Sequence, residues 1–246
     1  MRGRVPPRPL TEIAEACVQV FISKGFRTAG ISDVAKALKL SHGAVYTYAD
    51  SKQALLYLAL LRVLDPSALE SMELPVTAPS PDAILAAVEG WSARQHGFDH
   101  LAEALARPVS GSSKSPRSPR SPQAVHSAQE DLGEIVEAIY DLIAQNRIAL
   151  SMFERCSEDL PALAQWYFVE RRRGLLAALA EFLEVRISAG LLRPVPDVPT
   201  AARFIVESIA WFAMHRHGDP DSAMLSDEDC RRTVRHLVPA AFLPAG

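Results

Sequence analysis

The sequence predicts an all-α protein, because apolar residues recur at helical spacing along most of the chain and strand signals are nearly absent. Alternating β-branched runs bounded by Asn-Gly or Asp-Gly turns do not occur. Apolar residues make up 48% of the 246 residues and charged residues 22%, the balance of a soluble globular protein. Prolines and glycines separate the helical segments. We therefore expect a small N-terminal helical domain followed by a helical bundle.

The first helix is predicted over residues 10–24, and Gly25 stands where this helix is expected to end. Its core-facing side carries Ile13, Cys17, Val20, Phe21 and Lys24. A short second helix is predicted over residues 32–38. Its buried residues are expected to be Val34, Ala35 and Leu38. Gly30 precedes this helix without a side-chain oxygen, so we expect the start of the second helix to be weakly capped.

A tight turn at Lys39–Leu40 leads into a third helix, which is predicted to begin after Ser41 and to run to about Tyr48. The Ser41 hydroxyl can accept a hydrogen bond from an N–H group that the helix leaves free. Asp50 and Gln53 then have the spacing of a capping box before an apolar fourth helix. The predicted order is helix, helix, turn, helix, cap, helix.

The segment 31–48 has the geometry needed to read duplex DNA. A helix of about two turns fits the major groove, and the helix packed across it needs a small residue such as Ala35 at the contact. Leu40 and Val45 are expected to face inward. The outward positions are His42, Gly43, Ala44, Tyr46, Thr47 and Tyr48. Imidazole, hydroxyl and phenol groups can contact bases and phosphates, although either tyrosine alone would fit core packing equally well.

Charge favours the same end of the chain. Residues 1–53 carry a net charge of +4, whereas the remainder carries −7, so a polyanion is attracted to the first part. Lys52 lies at the predicted N-terminus of the fourth helix, where an ammonium and the helix dipole together make a phosphate site. An ordinary solvated basic surface would give the same charge balance. The helical pattern must therefore distinguish a DNA-binding surface from an ordinary one.

The stretch from Ile13 to Leu60 resembles the N-terminal domain of TetR-family regulators. The resemblance rests on Phe21, Lys24-Gly25-Phe26, Ile31-Ser32-Asp33-Val34-Ala35, the run from Leu40 to Tyr48, and Ser51-Lys52-Gln53-Ala54-Leu55. It implies a helix-turn-helix domain at residues 1–53 and a helical bundle at 54–246 that dimerises and binds an effector. The residues that match the family's DNA contacts are Ser32, His42, Gly43, Ala44, Tyr46, Thr47, Tyr48 and Lys52.

Three residues depart from the family pattern. Gly30 stands where Ser or Thr usually caps the second helix, and Ala49 replaces the usual Phe. Both changes predict a looser domain core. His42 stands where Lys or Arg is frequent, which removes a fixed charge from the reading helix. Base preference therefore does not carry over from relatives.

Two late segments, 163–189 and 201–217, are apolar on more than one face and must be covered on all sides. The resemblance implies that the corresponding helices of two subunits form the dimer interface. Candidate interface residues are Leu175, Leu179, Phe182, Phe204, Ile209 and Phe212. A monomeric core would explain the same apolarity. A dimer, however, places two reading helices about 34–36 Å apart on a near-palindromic operator.

A small apolar effector is expected to bind in the bundle and to release DNA by moving the fourth helix and the attached reading helix. Candidate pocket residues are Trp91, Phe98, Tyr140, Phe153, Trp166 and Tyr167. Ordinary core packing is the alternative role for each of these aromatic residues. The apolar character of the effector is inferred because no buried charge cluster is evident in this half of the sequence.

A Ser/Pro/Arg-rich segment near 108–126 is expected to be a mobile loop, because it has too few apolar residues to offset its ordering entropy. The alternatives are a basic arm that touches DNA or a phosphorylated Ser-Pro tract. Elsewhere the segment boundaries coincide with proline clusters, so helices are predicted at about 82–107, 128–145, 147–156, 161–190, 200–217 and 228–242.

Several other classes of protein are disfavoured. No apolar run is long enough for a membrane span or signal peptide, and three distant cysteines predict neither a disulfide framework nor a metal site. His96 and His100 have metal-ligand spacing but lack a third ligand, and no catalytic motif or cofactor site is evident. We expect a cytoplasmic regulator, nucleoid-associated when bound to DNA, and more specifically a repressor. A regulator without an effector remains the alternative.

Overall fold

The computed structural model describes residues 8–109, 121–222 and 224–244 and confirms the all-α fold. Across these ranges no strand is present beyond a single bridge between Ala49 and Val76. The helices are α1 Leu10–Thr28, α2 Ile31–Ala37, α3 His42–Val45, α4 Lys52–Leu64, α5 Pro81–Ala93, α6 His96–Leu105, α7 Pro122–Gln145, α8 Arg147–Cys156, α9 Pro161–Ala164, α10 Arg173–Ser188, α11 Val198–Ala213 and α12 Asp227–Ala240. A π-helical stretch, Gln165–Arg172, joins α9 to α10, and short 3-10 turns lie at Pro66–Ser71, Ser157–Asp159 and His215–Gly218.

The chain divides into two units. The first unit comprises Met1–Arg94 with Ile148–Phe168, and the second comprises Gln95–Arg147 with Val169–Gly246. This division differs from the expected boundary after residue 53, because α4 packs along α1 and then against α5. An apolar helix such as α4 must be covered on most sides, and its neighbours in the first unit supply that cover.

The first unit is built around the pairing of α1 with α4. Of the residues predicted on the inner face of α1, Ile13, Cys17, Val20 and Phe21 are buried, whereas Lys24 is exposed. At Gly25 the helix is interrupted by a backbone conformation with φ 72° and ψ 161°, after which helical structure resumes to Thr28. The predicted break at Gly25 is therefore present, and a further helical turn follows it.

Serine hydroxyls cap five of the helices in the described ranges, namely α3, α4, α5, α7 and α12. Ser41, Ser51 and Ser121 each accept a hydrogen bond from the backbone N–H three residues on, at 3.1–3.2 Å. The prediction that Asp50 caps α4 is wrong by one residue, since Ser51 holds that position. Ser121 with Pro122 starts α7 earlier than predicted, so residues 122–126 are helical and not part of a loop. Residues 110–120 of the predicted loop lie outside the described ranges.

In the second unit α7 is central and packs against α6, α11 and α12, while α10 pairs with α11. Two arginines are buried in this unit, which corrects the expectation that it contains no buried charge. Arg186 bonds to Asp131 at 2.9 Å and to the Arg107 carbonyl at 3.1 Å. Arg216 pairs with Asp227 and donates to two backbone carbonyls at 2.7 Å. Partnered charges of this kind are compatible with burial.

All three cysteines are buried free thiols. Burial raises the pKa of Cys17 and of Cys156 to about 12, so both thiols are protonated and unreactive at neutral pH. In the described parts of the chain, no helix is long and apolar enough to span a membrane.

Candidate DNA-binding site

The helix-turn-helix of α2 and α3 has the connection that the sequence predicts. Lys39 adopts a left-handed conformation with φ 53°, and the Leu40 N–H donates to the Ala35 carbonyl at 2.9 Å. This turn redirects the chain at once into α3. Val34, Ala35 and Leu38 are buried, as is Val45, which confirms the predicted inward positions of both helices. Leu40 is only half-buried.

No side chain caps the free N–H groups of α2, but a carboxylate in its first turn binds the N–H of the residue before it. The Gly30 N–H donates to Asp33 Oδ2 at 2.9 Å, and Lys24 Nζ lies 2.5 Å from Asp33 Oδ1. The hydrogen bond from Lys24, followed by that from the Gly30 backbone, holds the pKa of Asp33 below its usual range. The start of α2 is thereby fixed to α1, which compensates for the departure at Gly30.

The predicted reading face is exposed to solvent. Ser32, His42, Gly43, Tyr46 and Thr47 are all exposed, and Ala44 is half-buried. The rings of His42 and Tyr46 meet edge to face with centroids 5.5 Å apart, and the Tyr46 side chain remains 43% exposed. Imidazole, phenol and hydroxyl groups therefore lie beside a glycine on one short surface, which suits contact with base edges and phosphates.

Lys52 occupies the first turn of α4 and is held by the end of α1. Its Nζ atom lies 3.3 Å from the Arg27 carbonyl oxygen and 4.3 Å from the centroid of the Phe26 ring. An ammonium has three N–H donors, so a bond to one carbonyl leaves capacity for a phosphate oxygen. The Ser51 cap and the dipole of α4 favour an anion at the same place.

Tyr48 requires a correction, because the sequence predicted it on the DNA-facing side. Its side chain is buried at 6% exposure, and its hydroxyl accepts a hydrogen bond from the Arg8 N–H at 2.8 Å. Ala49 beside it is also buried and pairs with Val76. Tyr48 therefore anchors the segment before α1, and we remove it from the predicted DNA contacts.

Replacing Gly43 with alanine is expected to raise the stability of the protein and to weaken its binding to DNA. No atom lies within 4 Å of the position that the added Cβ would take, so alanine should stabilise α3 by roughly 0.5–1 kcal/mol. The same methyl group would lie on the exposed reading face and hinder close approach to DNA. We expect a higher melting temperature together with weaker duplex binding, measured by calorimetry and fluorescence anisotropy. Lower stability would contradict the assigned surroundings of Gly43.

Four of the six candidate pocket residues form a connected aromatic cluster in the first unit. The rings of Trp91, Phe153 and Trp166 meet edge to face with centroids 5.5–6.2 Å apart, and Tyr167 lies 5.4 Å from Phe153. Phe98 and Tyr140 belong to the second unit. Sequence reasoning missed Ser157, whose buried hydroxyl has no hydrogen-bond partner among the described residues.

The candidate dimer residues differ in how much of each side chain is exposed to solvent. Leu179, Phe182 and Ile209 are buried within their own chain at 0–2% exposure, whereas Leu175 and Phe212 are half-buried. Phe204 is 57% exposed on α11. Two further exposed apolar residues were missed: Trp211, one heptad after Phe204, and Val185 on α10, at 39% and 47% exposure. The large apolar side chains that remain exposed on α10 and α11 are therefore Val185, Phe204 and Trp211.

Comparison with known proteins agrees with this geometry. Residues 13–57 match the family model of bacterial regulatory proteins, TetR family. The ketosteroid transcriptional regulator KstR2 of Mycobacterium tuberculosis has a similar fold, with a TM-score of 0.52 at 18% identity over 99% of this chain and 98% of that chain. A probable transcriptional regulatory protein, RHA5900, gives a TM-score of 0.52 at 17% identity over 96% of this chain and 100% of that one. No curated protein matches the chain.

The matched residues contain the whole of α2 and α3 and the start of α4, which are the elements that carry the exposed reading face and Lys52. Regulators of this family bind DNA and are not enzymes. Residues 13–57 therefore match the TetR-family regulatory domain, and the solved structures share the all-α fold of the chain.

Proposed function

We propose that the chain is a TetR-family DNA-binding transcriptional regulator. It binds a near-palindromic operator as a homodimer in the cytoplasm, and a small apolar effector releases it, so that it acts as a repressor. The observation that carries the proposal is the exposed reading face on α2 and α3, with Lys52 beside it. The proposed DNA contacts on this face and beside it are Ser32, His42, Gly43, Ala44, Tyr46, Thr47 and Lys52.

The reading helix is short, which is why a dimer is required. A four-residue helix such as α3 reaches only a few base pairs, too few to select an operator. Two copies related by a two-fold axis would read two major grooves about 34–36 Å apart. The exposed apolar face on α10 and α11, with Phe204, Trp211 and Val185, suits a self-complementary contact of this type.

The aromatic cluster supports the effector proposal. Trp91, Phe153 and Trp166 are buried and in mutual contact, so a ligand would have to separate the rings to enter. A planar apolar ligand could replace the ring contacts that it breaks. The unpartnered Ser157 hydroxyl, which immediately follows α8, offers one polar group for such a ligand.

Lys52→Ala is expected to weaken binding to every duplex by about tenfold and to flatten the dependence of log affinity on log salt by about one phosphate contact. Thr47→Val should change which duplex is preferred while it leaves the salt slope unchanged. Anisotropy titrations at several salt concentrations, with a selected duplex and a scrambled duplex, measure both quantities. If Lys52→Ala altered sequence preference and kept the full salt slope, its assignment as a phosphate contact would be wrong.

Ser157→Ala is expected to raise the free energy of unfolding of the ligand-free protein by about 1 kcal/mol, because it removes a buried hydroxyl without a partner. In a thermal-shift screen of apolar aromatic compounds, a ligand that stabilises the natural protein should stabilise this variant less. Loss of stability in Ser157→Ala would show that the hydroxyl is satisfied. If no compound class raised the melting temperature, a regulator without an effector would be favoured.

A further inference from the structure

The end of α1 is docked onto the end of α8 by three successive residues of the first unit. The Arg155 carbonyl oxygen lies 3.7 Å from the point at which a side chain on Gly25 would begin. The backbone of Phe26 lies near the Cys156 thiol, where it partly offsets the rise in the pKa of that thiol that burial causes. Arg27 then pairs with Asp159 at 3.2 Å and with Glu158 at 3.6 Å.

The same short segment of α1 supports the DNA-binding side. The Arg27 carbonyl accepts from Lys52 Nζ, and the Phe26 ring lies under the same ammonium. One turn earlier, Lys24 holds Asp33, whose carboxylate accepts from the Gly30 N–H at the start of α2. A displacement of this segment would therefore move both the proposed phosphate contact and the start of the helix-turn-helix.

The same helix, α8, also carries one ring of the aromatic cluster. Phe153 lies three residues before Cys156, less than one helical turn away, and is fully buried. Its ring contacts Trp91, Trp166 and Tyr167. A ligand that separates these rings would displace the end of α8 beside Gly25 and Phe26 and the Ser157–Asp159 turn that pairs with Arg27.

We propose that Arg27, with its partners Glu158 and Asp159, positions Lys52 and thereby couples the aromatic cluster to the DNA-binding face through α8. This inference rests on the proposed function, since it specifies how the same sites communicate. Coupling between two sites is reciprocal, so binding of DNA must perturb the aromatic cluster even when no effector is present. In this proposal, coupling between the aromatic cluster and the DNA-binding face runs through α8, which is distinct from coupling that runs only along α4.

The reciprocal effect can be measured without an effector. Protein labelled with 5-fluorotryptophan gives one fluorine resonance for each of Trp91, Trp166 and Trp211, and single Trp→Phe variants serve only to assign them. A duplex enriched from a random-sequence pool by the full-length protein is the probe. We expect its binding, followed independently by anisotropy, to shift the resonances of Trp91 and Trp166.

The variant Glu158→Gln/Asp159→Asn removes both partners of Arg27 and should reduce these DNA-induced shifts to roughly half or less while it still binds the duplex. The matched control, Glu70→Gln/Glu89→Gln, neutralises two exposed carboxylates of the same unit and should keep the full shifts. Arg27→Gln removes the cation of the same ion pairs and should also reduce the DNA-induced shifts of the tryptophan resonances.

Full shifts in the Glu158→Gln/Asp159→Asn variant, or no shift in the natural protein at saturating duplex, would overturn the coupling. Failure to enrich or bind any duplex would instead overturn the proposed function. The two failures are distinguishable, because anisotropy reports binding separately from the tryptophan resonances.

Discussion

Phe204→Glu is expected to dissociate the dimer and to abolish tight operator binding. The side chain is 57% exposed within its own chain and lies on α11, with Trp211 one heptad further along. Both subunits of a two-fold dimer carry the substitution. Two carboxylates would therefore be placed close together in an apolar contact. Loss of one such aromatic anchor costs about 2–4 kcal/mol, and we expect the dimer dissociation constant to rise roughly 100-fold or more. Analytical ultracentrifugation measures this directly.

Leu237→Glu is the matched control for Phe204→Glu. Leu237 is also exposed, at 58%, and belongs to the same unit, but it lies on α12. The Leu237 variant should remain dimeric and should bind the operator with unchanged affinity. If it dissociated while Phe204→Glu stayed dimeric, the subunits would associate through α12 and the interface proposed on α10 and α11 would be incorrect.

Gly25→Ala is expected to destabilise the protein by about 1–3 kcal/mol. With φ 72° and ψ 161°, Gly25 occupies a backbone region that is essentially restricted to glycine. The nearest atom to an added Cβ, the Arg155 carbonyl oxygen, is 3.7 Å away, an ordinary contact distance. The cost therefore comes from backbone strain and not from a steric clash. For a chain of this size, each kcal/mol lowers the melting temperature by roughly 2–4 °C.

Gly43→Ala is the control for this effect, because the same substitution at a helical glycine is expected to raise the free energy of unfolding instead of lowering it. Chemical denaturation of both variants, compared with the natural protein, gives the two differences in free energy of unfolding. A neutral Gly25→Ala variant would show that the α1 interruption is not strained for alanine. The docking of Gly25–Arg27 on α8 would then need a different structural basis.

The helix-turn-helix could be predicted closely from the sequence because its signals are local. The Ser41 cap, the Lys39–Leu40 turn and the buried Val45 each depend on residues within one or two helical turns. The same is true of the break at Gly25. Errors at this level were a few residues: α3 ends at Val45 and not at about Tyr48, because residues 46–48 form a turn, and Ser51 instead of Asp50 caps α4.

The remaining features depend on contacts between residues that are distant in the sequence. Tyr48 is buried because its hydroxyl bonds to Arg8, forty residues earlier, which no periodicity could indicate. Helical periodicity also does not distinguish a face that packs on its own chain from one that packs on a partner. For this reason Leu179 and Phe182 were predicted at the dimer surface although both lie in the intrachain core.

The buried charges illustrate the same limit. Arg186 and Asp131 are 55 residues apart, and each looks like a surface residue when its own helix is considered alone. The aromatic cluster likewise joins Trp91 to Phe153 and Trp166 across long separations in the sequence. These pairings follow from tertiary structure and not from residue type or spacing.

The central claim is that two copies of the reading face on α2 and α3 engage one operator. Its most direct test is the affinity for an enriched duplex before and after about five base pairs, half a helical turn, are inserted between its half-sites. We predict that the enriched duplexes are near-palindromes and that the insertion lowers affinity roughly 100-fold or more. Enriched duplexes without symmetry, bound by a monomer with an affinity that the insertion leaves unchanged, would contradict the claim.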